Sequence, residues 1–536
     1  MAPAGVGSGW FTLKDDEGPT KQHQGSARIA RGSSAAPRLG LVGGDVMAGL
    51  SVALVLVPQS LAYAELAGVP AHLGLYASAA APILAAPFAS SRYLQTGPTA
   101  MTSLLTLGAL TPLALPGGTE YVGLAVLLAL LVGVIRILIG LVRGGSAANF
   151  LSQPVIVGFT VAAALLIFAS QLPTALGASA GAGGVGSRAW AALTAPGAWD
   201  LRAVGITAAS IVVFFGGRRI HPRFPAVMVA ALGGLAYSVA TDFDGSTIGA
   251  VPPPALPSFD IPWASTPSLL VPAGLIALVG FAEPAAIART FASMDRTRWD
   301  ANRAMLSQGV ANVAAGLSGG FPVGASFSRS ALSRLAGTQT RWSGAVTGIA
   351  VLLFIPVAWV LAPLPKAVLA AIVIASILSL LGRARDLLPL WRASRPQAAI
   401  GLVTFALTLL LSPHVEYAVL AGVGLSLAVH VWRELSVTVE AEHEGLSLTL
   451  RLNGVLWFAS APFVEEQFNA ALAAHPDAQR LVLDLGGLGR IDYTGALAVK
   501  AVIDDARIAG LQVAVEDVPP QSAGLLRRVC GDIVSQ

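Results

Sequence analysis

The sequence predicts a polytopic α-helical membrane protein that closes in a small soluble α/β domain. Three observations predict it. The 536 residues are 54% hydrophobic and only 12% charged, with a mean hydropathy of +0.71; a soluble domain carries roughly 25% charge. Apolar stretches long enough to cross a bilayer recur from Asp45 to about Trp432, whereas a β-barrel would show alternating segments of ~10 residues. After Arg433 the apolar pattern changes to alternation at strand period.

The first forty residues are rich in Gly, Ser and Ala and carry Lys14, Asp15, Asp16, Glu17, Lys21, Arg28, Arg31 and Arg38. No uninterrupted apolar run precedes a cleavage site, so residues 1–40 are expected to be a disordered cytoplasmic arm and not a signal peptide. The membrane part is expected over 41–434. It holds fourteen hydrophobic segments, near 45–65, 72–88, 98–112, 121–142, 150–170, 203–217, 223–240, 269–293, 302–317, 325–337, 341–361, 363–381, 395–412 and 414–433.

Loop charges orient them. With the N-terminus inside, loops after even-numbered segments hold Arg92, Arg143, Arg218, Arg219, Arg223, Arg296, Arg298, Arg341, Arg383, Arg385 and Arg392. The opposite loops hold only Arg188, Arg202 and Lys366. The bias places both termini in the cytoplasm, at the cell's inner (plasma) membrane.

Segments 3 and 10 are too short to span. Pro98 to Pro112 makes about 22 Å of helix and Ala325 to Gly337 about 20 Å, against a hydrocarbon core of ~30 Å. Each is expected to start just after a proline, Pro98 or Pro322. Short, Pro/Gly-interrupted segments at matching places in two halves point to a transporter's binding site. Pro322 follows Pro98 by the same interval as Glu283 follows Gln59. Two repeats of seven segments follow, and because seven is odd the second is inverted.

The tail, 435–536, alternates in "LSVTVEAE" and "LSLTLRL", turns helical in "APFVEEQFNAALAA", and continues with the strand "RLVLDL", the helix "TGALAVKAVIDDARIAG" and the strand "LQVAVE". Residues 436–536 hold 7 Lys/Arg and 13 Asp/Glu, so the basic excess belongs to the membrane part. Loops on the cytoplasmic side account for it, and no nucleic-acid partner is needed.

Composition also argues against an enzyme or a pump. The single cysteine, Cys530, permits no internal disulfide and no cysteine-built zinc site. The histidines His23, His72, His221, His414, His430, His443 and His475 show no metal-ligand spacing, and no Walker-type phosphate loop is present. No cofactor is expected.

Chemistry concentrates in "FPVGASFSRS", residues 321–330. An arginine at bilayer depth costs ~2.5–3.5 kcal/mol or more. Two half-helices from opposite repeats would point their N-termini at each other, each with unpaired N–H groups and about half a positive charge. Such a pair binds a small anion. Arg329 would add a full charge, and Thr99, Ser326, Ser328 and Ser330 hydroxyl donors; the structural reading is that Arg329 snorkels or caps a helix end. Gln59 and Tyr63 share one face of segment 1, though a lone Gln there also serves as interhelical glue. Glu283 is the deep carboxylate of segment 8 and would pair with Arg329, carry a coupling proton or ligate Na⁺. Glu65 sits nearer the interface.

Four stretches, "GDVMAGLSVALVLVPQSLAYAELAGVPAHLGLYAS", "QTGPTAMTSLL", "GFAEPAAIARTFA" and "SQGVANVAAGLSGGFPVGASFSRSAL", together resemble the sulfate permease family of anion transporters, whose animal branch includes prestin. "LVLDLGGLGRIDYTGA" resembles its closing STAS domain. The resemblance covers about 40–530. It implies core and gate domains, an elevator-like motion and usually a homodimer. Carried over, the family's anion site falls on Gln59, Tyr63, Thr99, Ser328 and Arg329. With Ala100, Ser326 and Phe327, these form the expected binding set, and Glu283 is the expected coupling residue.

Departures qualify the mechanism. Some proton-coupled bacterial members carry Glu where Gln59 stands. Sodium-coupled bicarbonate members have Thr where Ile287 stands. Plant-type sulfate carriers share the Pro58–Gln59 pair and the Glu of segment 8. Proton-coupled sulfate uptake is therefore the leading expectation; bicarbonate or dicarboxylate transport with Na⁺ or H⁺, anion exchange or a channel are the alternatives. The same resemblance puts Thr494 at a phosphorylatable position of the STAS loop, against a plain reading as a helix N-cap.

Overall fold

The computed structural model describes residues 42–145, 152–179, 183–220, 224–252, 260–382, 387–434 and 437–531. The expected N-terminal arm and the loop arginines Arg223, Arg383 and Arg385 lie outside the described residues.

The chain winds through one set of elements twice. The first pass runs α1 (Gly43–Ala67), α2 (His72–Ala85), β1 (Thr96–Gly97), α3 (Ala100–Leu110), α4 (Thr119–Leu141), α5 (Gln153–Leu176), α6 (Val185–Thr194), α7 (Leu201–Ile220) and α8 (Ala226–Ala240). The second runs α9 (Thr266–Met294), α10 (Ala301–Leu317), β2 (Gly324–Ala325), α11 (Phe327–Leu335), α12 (Ser343–Phe354), α13 (Lys366–Leu381), α14 (Leu387–Ala393), α15 (Arg395–Leu410) and α16 (Val415–Glu434). Each of the fourteen predicted segments coincides with a helix. Two short helices were not predicted, α6 and α14, and each follows the fifth helix of its pass.

Packing repeats the symmetry. Helix α4 lies on α10 as α12 lies on α2; α5 packs on α15 as α13 packs on α7; α1 meets α11 as α9 meets α3. Small residues allow the close approaches. A Cβ on Gly309 would lie 2.9 Å from Gly133 O, and one on Gly348 2.5 Å from Ala79 O. Six of the described helical stretches are long and apolar enough to cross a membrane, those containing α1, α4, α5, α9, α12 and α16.

The half-helices are shorter than predicted. Helix α3 has 11 residues and α11 has 9, about 16 Å and 14 Å. Helix α11 starts at Phe327 and not beside Pro322, because Gly324 and Ala325 are used in β2. The helix starts Ala100 and Phe327 therefore lie further apart along the chain than Pro98 and Pro322 do.

The tail folds as β3 (Thr438–Glu444), β4 (Ser447–Leu456), α17 (Ala461–Ala474), β5 (Arg480–Ile491), α18 (Tyr493–Ile508), β6 (Gln512–Glu516) and α19 (Pro520–Cys530). The sheet order is β3-β4-β5-β6. A tight hairpin joins the antiparallel β3 and β4, with Gly445 at φ 61° supplying the left-handed turn residue; β4–β5 and β5–β6 are parallel. The tail has its own apolar core, with Leu448, Phe468, Leu483, Val499 and Leu526 buried.

Candidate functional site

The two passes meet where β1 and β2 cross. Thr96 pairs with Ala325 and Gly97 with Gly324, antiparallel. Helix α3 leaves this ribbon in one direction and α11 in the other, so both N-termini point back at the crossing. Thr99 caps α3: its Oγ1 accepts from Thr102 N at 3.4 Å and lies 2.9 Å from Thr102 Oγ1. Helix α11 has no side-chain cap, because Ser326 Oγ pairs with Ser328 Oγ at 3.0 Å.

Arg329 closes the crossing. It sits in the first turn of α11 and is 1% exposed. Its Nη1 donates to Pro98 O at 2.8 Å and, at 3.4 Å, to Gln59 Oε1. The snorkelling alternative is thereby ruled out, since the guanidinium is enclosed. Its Nε and Nη2 are buried with no hydrogen-bond partner among the described residues. Buried donors left open are costly, the more so on a charged group.

The other predicted residues gather unevenly. Gln59, Tyr63, Thr99 and Ala100 are buried at the crossing. Tyr63 hydrogen-bonds with Ser376 of α13 and lies within electrostatic range of Arg329 and Glu283. Glu283 is half-buried in the middle of α9 and acts electrostatically on Arg329. Ser328 is exposed, and Phe327 is 49% exposed with its ring stacked on Phe291 at 5.9 Å. Ser330 departs from expectation. Its Oγ accepts from Gln95 N at 3.1 Å, since one residue along a helix turns a side chain by about 100° from that of Arg329.

A buried polar scaffold holds the crossing, and sequence reasoning passed over it. Gln95 Nε2 donates to Ser333 Oγ and Ser343 Oγ, and its Oε1 accepts from Thr347 Oγ1. Gln308 Nε2 donates to Thr96 Oγ1 at 2.8 Å. Asn312 Oδ1 accepts from Val323 N, and its Nδ2 donates to Val323 O. Arg136 of α4 donates to Val323 O and to two carbonyls of α9. The signal was present: Gln308 and Asn312 share a helix face at i, i+4, and Arg136 is a lone charge inside an apolar segment.

Asp295, just past α9, ties down the far end of α11. It takes Arg334 at 2.7 Å, Arg92 at 2.8 Å and the Tyr93 hydroxyl at 2.7 Å. Burial pushes its carboxyl pKa up, but the hydrogen bonds from Tyr93, Arg92 and Arg334 outweigh it and hold the pKa below the ordinary value.

A family model described as the sulfate permease family matches residues 42–404, and a STAS domain model matches 438–530. The chain belongs to the sulfate permease family. It is thus a multi-pass membrane transporter and not an enzyme. Over 72% of its length it is 35% identical to a probable sulfate transporter of Mycobacterium tuberculosis, covering 69% of that protein. Over 88% of its length it is 30% identical to sulfate transporter 4.1, chloroplastic, of Arabidopsis thaliana, covering 75% of it. A structure of murine Slc26a9 in the inward-facing state superposes with a TM-score of 0.82, over 95% of this chain and 92% of that one, at 21% identity. That likeness establishes the fold.

In the STAS domain of this sulfate permease, Thr494 is not the helix cap. Asp492 caps α18, accepting from Gly495 N at 2.7 Å and from Phe458 N at 3.2 Å, as befits a carboxylate at a helix N-terminus. Thr494 lies exposed at the second position of the helix. Cys530 is a free thiol buried against Ala496, and burial pushes its pKa up.

Proposed function

We propose that this protein is a secondary active transporter of small inorganic anions, sulfate foremost, driven by protons through an elevator-like alternation. The anion would sit between the N-termini of α3 and α11, within the set Gln59, Tyr63, Thr99, Ala100, Ser326, Phe327, Ser328 and Arg329. One observation carries the reading: the enclosed guanidinium of Arg329 keeps Nε and Nη2 without partners beside two helix N-termini. A bound anion meets that demand for charge and acceptors together. The named substrates of the bacterial and plant relatives support sulfate.

Glu283 supplies the coupling. It shares an electrostatic field with Arg329. An arriving anion offsets the charge of Arg329 and adds negative charge of its own, so the carboxyl then takes up a proton. Proton and anion each favour the other's binding, as coupled sites must. Radiolabelled sulfate uptake into proteoliposomes tests this, with and without an inward proton gradient. The parent is expected to concentrate sulfate when the gradient is imposed. Glu283→Gln is expected to exchange sulfate for sulfate yet no longer to concentrate it. Uptake in the parent that ignores pH and follows Na⁺ sinks proton coupling; concentration by Glu283→Gln as steep as the parent's removes Glu283 from the role.

A further inference from the structure

Arg136 is as deeply buried as Arg329, at 0% exposure, yet its hydrogen bonds go to none of the proposed anion-binding set. It lies in the last third of α4. Its Nε donates to Ala277 O at 3.0 Å, Nη1 to Val323 O at 3.2 Å and Nη2 to Ile276 O at 3.0 Å. All three acceptors are neutral backbone carbonyls. No carboxylate lies within ion-pair distance among the described residues. An arginine does not shed its proton. The carbonyl dipoles solvate the guanidinium but leave its net charge standing, and a net charge reaches further than a dipole does.

That charge stands directly behind the crossing. Val323, which it holds, precedes β2. A Cβ added at Gly280 would lie 2.7 Å from Arg136 Nη2 and 3.4 Å from Thr102 Cγ2, in the first turn of α3. On the neighbouring strand, Arg329 Nη2 lies 3.7 Å from a Cβ built on Gly97. Gly97 pairs with Gly324, the residue after Val323. One backbone step of ~3.8 Å and one cross-strand pair of ~5 Å lie between the residues that the two guanidiniums touch, so the charges stand on the order of 10 Å apart.

We propose that Arg136 is a second fixed positive charge of the anion site and selects divalent over monovalent oxyanions. The inference rests on the site proposed above. Arg329 and Arg136 together balance a dianion once Glu283 is protonated, whereas a monoanion leaves one positive charge uncompensated in a low-dielectric interior. Arg136 donates nothing to the anion itself. Its effect is therefore purely electrostatic and scales with the charge of the ligand.

Sulfate and perchlorate separate the effects, being tetrahedral oxyanions of different charge. Their dissociation constants are measured by calorimetry on the full purified chain in detergent, at a pH where neither ion's binding takes up a proton, so that the ligand's own charge is the only charge that changes. Removing a charge at a distance weakens the monoanion by some factor and the dianion by about its square. For Arg136→Gln we expect roughly ten-fold for perchlorate and roughly a hundred-fold for sulfate. Arg136→Lys keeps the charge but loses the three-pronged geometry, and is expected to keep the parent's sulfate-to-perchlorate ratio. Equal weakening of both ions by Arg136→Gln, or a ratio lost in folded Arg136→Lys, overturns the proposal and leaves Arg136 a packing strut. If Arg136→Gln does not fold, Arg136→Met provides the neutral side chain and Arg136→Lys still decides. Arg329→Gln is the control. Unchanged affinity for both ions there means the site itself is misplaced; weakening there, with the ratio untouched at Arg136, refutes this inference alone.

Discussion

At the scale of single residues, the site is a matter of open valences. Arg329 donates Nη1 to Pro98 and Gln59 and leaves two nitrogens without a hydrogen-bond partner among the described residues. Arg329→Ala is expected to cost ~1–3 kcal/mol of sulfate affinity, because two helix N-termini remain when one charge-assisted donor set is removed. Calorimetry checks this; unchanged affinity in a folded variant puts Arg329 outside the site. Asp295 carries a pH dependence. Its folded pKa is depressed below the ordinary 3.8. Its contribution to stability is thus full above the unfolded pKa and is lost as pH falls through the lower folded value. Thermal melts should show Asp295→Asn less stable than the parent at pH 7 by ~1–3 kcal/mol, with the two converging under strongly acidic conditions. A difference that persists at the acid end argues against the ion cluster as its source. Arg329 and Glu283 were legible in the sequence because a charge in an apolar segment needs a reason. The partners of Gln95 were not legible, since they lie in the other pass of the chain.

At the scale of elements, the crossing depends on helices that approach through glycine. On Gly309, a Cβ would press on Gly133 O at 2.9 Å and on Ile137 N at 2.8 Å, both backbone atoms. Gly309→Val is therefore expected to destabilise the detergent-solubilised protein by ~1–3 kcal/mol. Gly348→Val, at the symmetry-related contact of α12 on α2, should do the same. Gly274→Ala, where a Cβ meets nothing within 4 Å, should leave the melting temperature unchanged. A tolerant Gly309→Val would show that α4 and α10 can separate without loss. Helix existence followed from apolar length, so all the long elements were visible beforehand. The start of α11 was not. Proline marks where a helix is permitted to begin, but the pairing of Gly324 with Gly97 decides where it does begin.

At the scale of the molecule, membrane part and tail keep separate apolar cores. None of the proposed anion-binding residues comes from the tail. Truncation after Glu434 is expected to leave sulfate binding within a few-fold of the parent while changing expression, assembly or turnover. Loss of binding in a well-folded truncated protein would tie the STAS domain to the site itself.

The sequence by itself determined the membrane class, the repeated order of helices, the α/β tail and a lone arginine, Arg329, after an apolar run. Those features are written in composition and period, which neighbouring residues share. The tertiary structure decided that Arg329 is enclosed and that Ser330 bonds to Gln95. It also decided that Asp492, not Thr494, caps α18, and that Arg136 stands behind the crossing. Each of these depends on which distant atoms occupy the space a side chain enters. A local pattern holds no record of that, because the two passes meet only once the second half of the membrane part has folded back onto the first.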